Sequence, residues 1–319
     1  MRFILNTFYS GPQAWFFLAD DRGYFREEGL DVVFTEGNSL ARAVTTMTSG
    51  VYDAGFGDLN ELVRMRAAGV SDTPVAVMAI HNRPPYTIAV DAAGDIYSPA
   101  DLPGTRLISH DQDAALLLFR EFCRAAGIDP DSVSITISHQ PHKVMVPQML
   151  AGDWDGIFGF VNTVAAQAIE AGVNPGLTLR HLAWQDHAPA FYGGAMMVTR
   201  AFRDARPDAV RGLCRAVNRG LSDTMADIEA AMDAVVRRNP DIDRAANRAR
   251  LLGTLAFEMG DTAARTSGLG DVDDSRLREI ARLISEAKGY ASRPAPADIF
   301  DRSFLPAAAE RARNTVDVR

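Results

Sequence analysis

Only two cysteines and two lysines occur in 319 residues. Cys123 and Cys214 are far apart on apolar stretches of helical spacing, a pattern that fits no zinc or redox motif and predicts buried, unpaired thiols. Lys143 and Lys288 have no obvious partner acid beside them, so Schiff-base chemistry has little to work with. The longest apolar run near the amino terminus, AWFFLA at 14–19, is far short of the ~20 residues a membrane span requires. Positive charge is also in deficit: 33 basic residues, scattered along the chain, against 41 acidic ones give a formal charge of -8. That balance excludes the electrostatic footprint of a nucleic-acid or anionic-membrane binder. No Gly-x-Ser-x-Gly elbow, His-Glu-x-x-His helix or phosphate-loop lysine is present, so the usual enzyme signatures are missing. The chain opens with MRFILNTF, directly into a strand-like segment. A secretory leader is therefore expected either to have been removed or never to have existed.

What is present is a regular alternation of short apolar runs and helix-period stretches. With 47% hydrophobic residues the chain can bury a large core, and its length suggests about two domains. ILNTF (4–8), GLDVVF (29–34), VAVMAI (75–80), TRLIS (105–109) and SITIS (134–138) are of strand length. A helix is expected after Pro12, ended by Gly23, and another with Leu40, Val44 and Met47 on one side. Ala114, Leu117, Leu118, Phe122 and Ala125 mark one further helix, closed by Gly127. The pattern is that of α/β architecture with largely parallel sheets.

Two segments also match each other at one offset. Met47 pairs with Met149, Gly50 with Gly152, Asp53 with Asp155, Gly57 with Gly159 and Asn60 with Asn162, while Val33 pairs with Ile135 and Val44 with Val146. This predicts two related lobes, each presenting loop ends and helix starts along the carboxyl edge of its sheet. The Gly55-x-Gly57 pair is no dinucleotide cradle, because Asn60 stands where the third glycine belongs and Asp58 would repel a pyrophosphate at the helix start. Asp58 reads as a helix cap, compatible with accepting a ligand N–H. The equivalent position in the second lobe is Phe160, a stacking face.

Longer stretches carry a resemblance. GPQAWFFLADDRGYFREEGLDVVF (11–34), EGNS (36–39), SGVYDAGFGD (49–58), YSPADLPGTRL (97–107), AGDWDGIFGF (151–160), RPDAVRGLCRAVNRG (206–220) and ADIFDRSFL (297–305) resemble the periplasmic substrate-binding proteins of ABC importers. The branch is that of nitrate, alkanesulfonate, taurine and thiamine-pyrimidine binders, the SsuA/THI5-like or NMT1-like group. The resemblance implies a bilobal type II periplasmic-binding-protein fold, two α/β lobes joined by two crossing strands near 86–90 and 193–199. Lobe I would be 1–87 plus 198–319, with a helical tail packed on it, and lobe II 88–197. It also implies a monomer that captures a small molecule in an interlobe cleft and presents it to a membrane permease, with no nucleic-acid partner. The compartment would be periplasmic, or cytoplasmic if no leader exists upstream.

Mapped onto the loop ends, the ligand-facing candidates are Tyr9 and Ser10 (with Phe8), Asn38, Ser39 and Asp58 in the first lobe. In the second they are Ser109 and Asp111 (with His110 and Gln140), Phe160 and Asn162, and then Trp184, Asp186 and Tyr192 toward the return crossing. Acids and aromatic rings in one set favour a flat, N–H-bearing molecule such as an aminopyrimidine of the thiamine-precursor type, since sulfonate or nitrate prefers a site without carboxylates. A sulfonate or taurine binder stays open as an alternative. So does an enzyme on the same fold, of the menaquinone-pathway dehydratase or the pyrimidine-synthase type, although the latter would need clustered cysteines. No cofactor and no catalytic residue is assigned. His139 and His142 in SHQPHK are read as a solvated loop, not a metal pair, because Pro141 spoils a common helical face; His81 is a possible ligand neighbour.

Overall fold

A computed structural model describes residues 1–111, 113–314 and 316. The chain divides into two compact units: Met1–Arg83 with Tyr192–Ser285 and Tyr290–Arg319, and Pro84–Phe191 with Glu286–Gly289. Unit one holds strands β1 (Arg2–Ile4), β2 (Val33–Thr35), β3 (Ala54–Asp58), β4 (Val75–Ala79) and β10 (Gly194–Val198), and unit two β5 (Tyr86–Asp91), β6 (Arg106–Ser109), β7 (Ser134–Ile137), β8 (Gly156–Phe160) and β9 (Leu179–Ala183). The strand orders are β2-β1-β3-β10-β4 and β7-β6-β8-β5-β9. In unit one β10 runs antiparallel to β3 and β4, and β1, β2 and β3 are mutually parallel. Four strands therefore end at one edge, where the fifth begins. Unit two repeats the arrangement, with β5 as the antiparallel strand.

The internal repeat is structural. The helices used below are α1 (Ala14–Asp21), α2 (Leu40–Met47), α3 (Leu59–Ala67), α4 (Ala114–Leu117), α5 (Phe119–Ala126), α6 (His142–Leu150), α7 (Val161–Glu170), α8 (Trp184–His187), α9 (Pro207–Ala226) and α10 (Ile228–Arg238). β3 and α3 begin at Ala54 and Leu59, and β8 and α7 at Gly156 and Val161, the same shift as between Met47 and Met149. Chemistry follows the register. The Arg2 N–H donates to Asp53 Oδ2 (2.8 Å) and the Asp53 N–H to the Arg2 carbonyl (2.9 Å); Arg106 and Asp155 make the same pair at 2.7 and 2.8 Å. Gly50 and Gly152, at φ 73° and 88°, adopt the left-handed turn that glycine enters without a Cβ penalty.

Gly57 and Gly159 are bare for a packing reason. A Cβ on Gly57 would lie 2.6 Å from Val44 Cγ2, and one on Gly159 would lie 2.6 Å from Val164 Cγ2 and 2.8 Å from His142 Nε2. A flanking helix thus rests directly on the strand. Around this strand unit one packs Phe3, Trp15, Phe16, Phe34 and Phe56 in tilted and edge-to-face pairs. Within unit one, α9 approaches α1 so closely that a Cβ on Gly220 would sit 2.3 Å from the Trp15 carbonyl. In unit two Ile108, Met145, Val146, Met149, Ile157 and Val164 form one core cluster. The single helix expected across 114–125 is instead α4 and α5, broken at Leu118 (φ -105°, ψ 11°), with Gly127 closing the second at φ 72°. Both cysteines are free and buried, as expected, and burial pushes the Cys123 thiol up to about 12.

Two outcomes are expected. Gly57→Ala and Gly159→Ala should each lower stability by about 1–3 kcal/mol through overpacking, while Gly94→Ala, whose new Cβ would make ordinary contacts at 3.4 Å, should stay within about 0.5 kcal/mol of wild type in urea titrations. Burial also pulls the His181 imidazole from 6.5 down to about 4. Its contribution is complete above pH 6.5 and is lost as pH falls toward 4, at up to roughly 1.4 kcal/mol per pH unit. Wild type should therefore lose more stability between pH 7 and pH 5 than His181→Gln; equal losses would contradict the assignment.

Candidate functional site

The carboxyl edges of the two sheets gather the candidate residues, because a strand that must bury both faces can expose functional groups only where it ends. In unit one the loop after β1 is tied down by Gln13. Its amide donates to Asn6 Oδ1 (2.7 Å) and Thr7 Oγ1 (2.8 Å), and its Oε1 accepts from the Ser10 hydroxyl (2.7 Å) and N–H (3.0 Å). Ser10 is fully buried in this network. Tyr9 is half-buried: its hydroxyl donates to the Phe34 carbonyl (3.0 Å), its N–H to Glu36 (2.7 Å), and its ring meets Phe17 edge-on. The ring that this loop exposes is Phe8, at 50%. Asn38 is exposed, and Ser39 caps α2, its hydroxyl accepting the Arg42 N–H at 3.1 Å.

Asp58 is a cap, and it is fully buried. Its Oδ1 accepts from the Asn60 N–H (2.8 Å), the Asn60 side-chain amide (3.0 Å) and the Glu61 N–H (3.2 Å). Asn60 in turn donates to the Tyr192 carbonyl (2.7 Å) and accepts the Tyr192 N–H (3.3 Å). The start of α3 and the segment entering β10 are thereby clamped together. Tyr192 is buried too, with its hydroxyl accepting the Asp273 N–H (2.8 Å) and Arg276 lying over its ring at 3.8 Å. His81, at the end of β4, is buried with Nδ1 3.3 Å from Glu258 Oε2.

Unit two presents a different surface. Ser109 is buried and its hydroxyl donates to the His110 carbonyl (3.0 Å), whereas Asp111 and Asp186 are exposed. Phe160 and Asn162 are half-buried at the β8–α7 junction. The Phe160 ring packs edge-on against Tyr86 with centroids 5.6 Å apart. Trp184 is fully buried, stacked on Phe122 at 4.6 Å and edge-on to Tyr86 and Phe191. His139 is exposed, and His142 is paired by the fold with His110, not His139: their rings lie perpendicular, centroids 4.8 Å apart. The spacing-based view of SHQPHK missed this because the partner comes from a different strand end. Burial pulls His142 down to about 4, so its ring is neutral near pH 7.

Comparison with known proteins fits this arrangement. The family described as NMT1/THI5 like matches residues 13–231. The riboflavin-binding protein RibY of Chloroflexus aurantiacus is 26% identical over 322 residues, covering 92% of this chain and 82% of that protein. Among solved structures, the periplasmic aliphatic sulphonate binding protein SsuA from Escherichia coli superposes with a TM-score of 0.68 at 14% identity, over 92% of this chain and 89% of that one. The desulfurization enzyme DSZB does so with a TM-score of 0.59 at 11% identity, over 96% of both chains, so the fold also hosts catalysis. With more than half its length matched and two α/β units of one topology, the chain belongs to the NMT1/THI5-like family and has the periplasmic-binding-protein fold.

Proposed function

We propose that the protein is the solute-binding component of an ABC import system, and that its solute is a flat, N–H-bearing heterocycle recognised at the carboxyl edges of its sheets. The observation that carries the reading is the pairing of accessible rings with accessible acids at those edges: Phe8 in unit one, and Phe160, Asp111 and Asp186 in unit two. A ring face buries the apolar body of such a molecule while a carboxylate accepts its N–H groups. A sulfonate at the same edges would meet carboxylates, a repulsion that low dielectric strengthens. The riboflavin-binding relative supports a heterocycle broader than an aminopyrimidine, since an isoalloxazine is also flat and carries an N–H beside carbonyls.

Binding without chemistry is the simpler reading. Burial pushes both thiols up and away from reactivity, and Lys288 lies 3.5 Å from Glu121, with its Nζ donating to the Leu117 carbonyl. Contacts available only in the solute-bound conformation would shift a conformational equilibrium, for which roughly 5.5 kcal/mol of differential binding suffices. The closed form would then be read by a membrane permease, in the periplasm. A monomer meets that need.

Thermal-shift and calorimetric titrations with riboflavin, an aminopyrimidine and taurine separate the readings. A heterocycle should raise Tm and be recovered with unchanged mass, and Phe160→Ala or Phe8→Ala should weaken its binding about 10–100-fold. Stabilisation by taurine alone, or a chemically altered solute, would overturn the proposal.

A further inference from the structure

We propose that His110, Asp113 and His142 form a binding site for one divalent transition-metal ion in unit two. One ligating atom from each side chain lies within 4.8 Å of the other two. His110 and Asp113 are brought together by the turn after β6, closed by the Asp113 N–H on the His110 carbonyl at 3.3 Å. His142 comes from a separate element, the first residue of α6, and is only 4% exposed.

The surroundings of the two imidazoles favour ligation. Nε2 of His110 faces the Gln140 carbonyl at 2.7 Å, and Nε2 of His142 faces the Phe158 carbonyl at 2.9 Å. A carbonyl only accepts, so each ring carries its proton on Nε2 and keeps a lone pair on Nδ1. That is how metal-ligating histidines are usually held: the far nitrogen donates to a backbone carbonyl, which fixes the tautomer and raises ligand basicity. Among the described residues, neither Nδ1 has a hydrogen-bond partner. Asp113 caps α4, with Oδ1 accepting the Ala115 N–H (2.8 Å) and a further backbone hydrogen bond from Leu116, and its carboxylate is the third donor.

Simple packing accounts for the edge-to-face rings and for the cap, taken singly. It does not account for a potential ligating atom from each of two imidazoles and one carboxylate lying within 4.8 Å of one another, brought from two elements. A tetrahedral zinc site sets its donor atoms about 3.4 Å apart, so closure by up to about 1.4 Å through side-chain rotation completes the geometry. Two imidazoles and one carboxylate suit Zn2+, and they leave a coordination position open.

The test uses untagged full-length protein freed of metal with EDTA and without any organic solute, which keeps it independent of the heterocycle reading. Zn2+ is titrated against a chromophoric chelator, and Co2+ is followed by its visible absorption. One equivalent should bind per chain, His110→Gln and Asp113→Asn should each weaken binding more than about 10-fold and bleach the Co2+ spectrum, and His139→Gln should change neither. His142→Ala removes a buried ring and risks misfolding. The half-buried His110 and Asp113 carry the decision, with native circular dichroism confirming their fold. Absence of stoichiometric binding, or affinity unchanged in both variants, would overturn the site.

Discussion

The ladder between β3 and β10, running from Gly194 opposite Asp58 to Val198 opposite Ala54, is the constraint on which unit one depends. β3 pairs with its own neighbour β1 on one side and on the other with a strand that arrives much later in the chain. Everything displayed at the end of β3 is therefore referenced to the segment 191–194. Asn60 reinforces that reference by bonding both the N–H and the carbonyl of Tyr192, and the Leu59 N–H adds a bond to the Gly193 carbonyl. Unit two solves the same problem with β5 antiparallel to β8, and the Val161 N–H bonds the Pro85 carbonyl in the corresponding place. Each sheet thus has a strand that links the chain's crossing segment to its own carboxyl edge.

The two copies keep the scaffold and differ at the tip. Arg2 with Asp53 and Arg106 with Asp155 register the strands identically, and Gly57 and Gly159 admit a flanking helix at the same depth. At the next position the copies part. Asp58 is consumed by capping α3, whereas Phe160 caps nothing with its side chain and leaves its ring at the edge. A carboxylate satisfied by two backbone N–H groups contributes mainly stability. The exposed acids near the strand ends of unit two are Asp111, after β6, and Asp186, within α8.

Much of this was legible in the sequence, for identifiable reasons. The repeat could be read because glycines at close approaches and acids that register strands tolerate few substitutes, so Gly57/Gly159 and Asp53/Asp155 persist where the surface has drifted. Strands such as VAVMAI announce themselves by unbroken apolarity, and Gly23 and Gly127 mark helix ends through their positive φ. Side-chain commitments could not be read. Ser10 reads as a ligand-facing serine, but Gln13, three residues on, claims its hydroxyl. Tyr192 and Trp184 looked like stacking rings, yet Arg276 covers one and Phe122 the other, both contacts made across long sequence separations. The convergence of His110, Asp113 and His142 was invisible because neighbouring parallel strands bring distant loops to one edge.

The central proposal is that a solute is recognised at the carboxyl ends of the strands, and amide hydrogen exchange with and without the stabilising heterocycle tests it most directly. The account predicts simultaneous protection around 8–11 and 58–61 in unit one and around 109–113 and 160–163 in unit two. Protection confined to one unit, or centred away from these junctions, would contradict it.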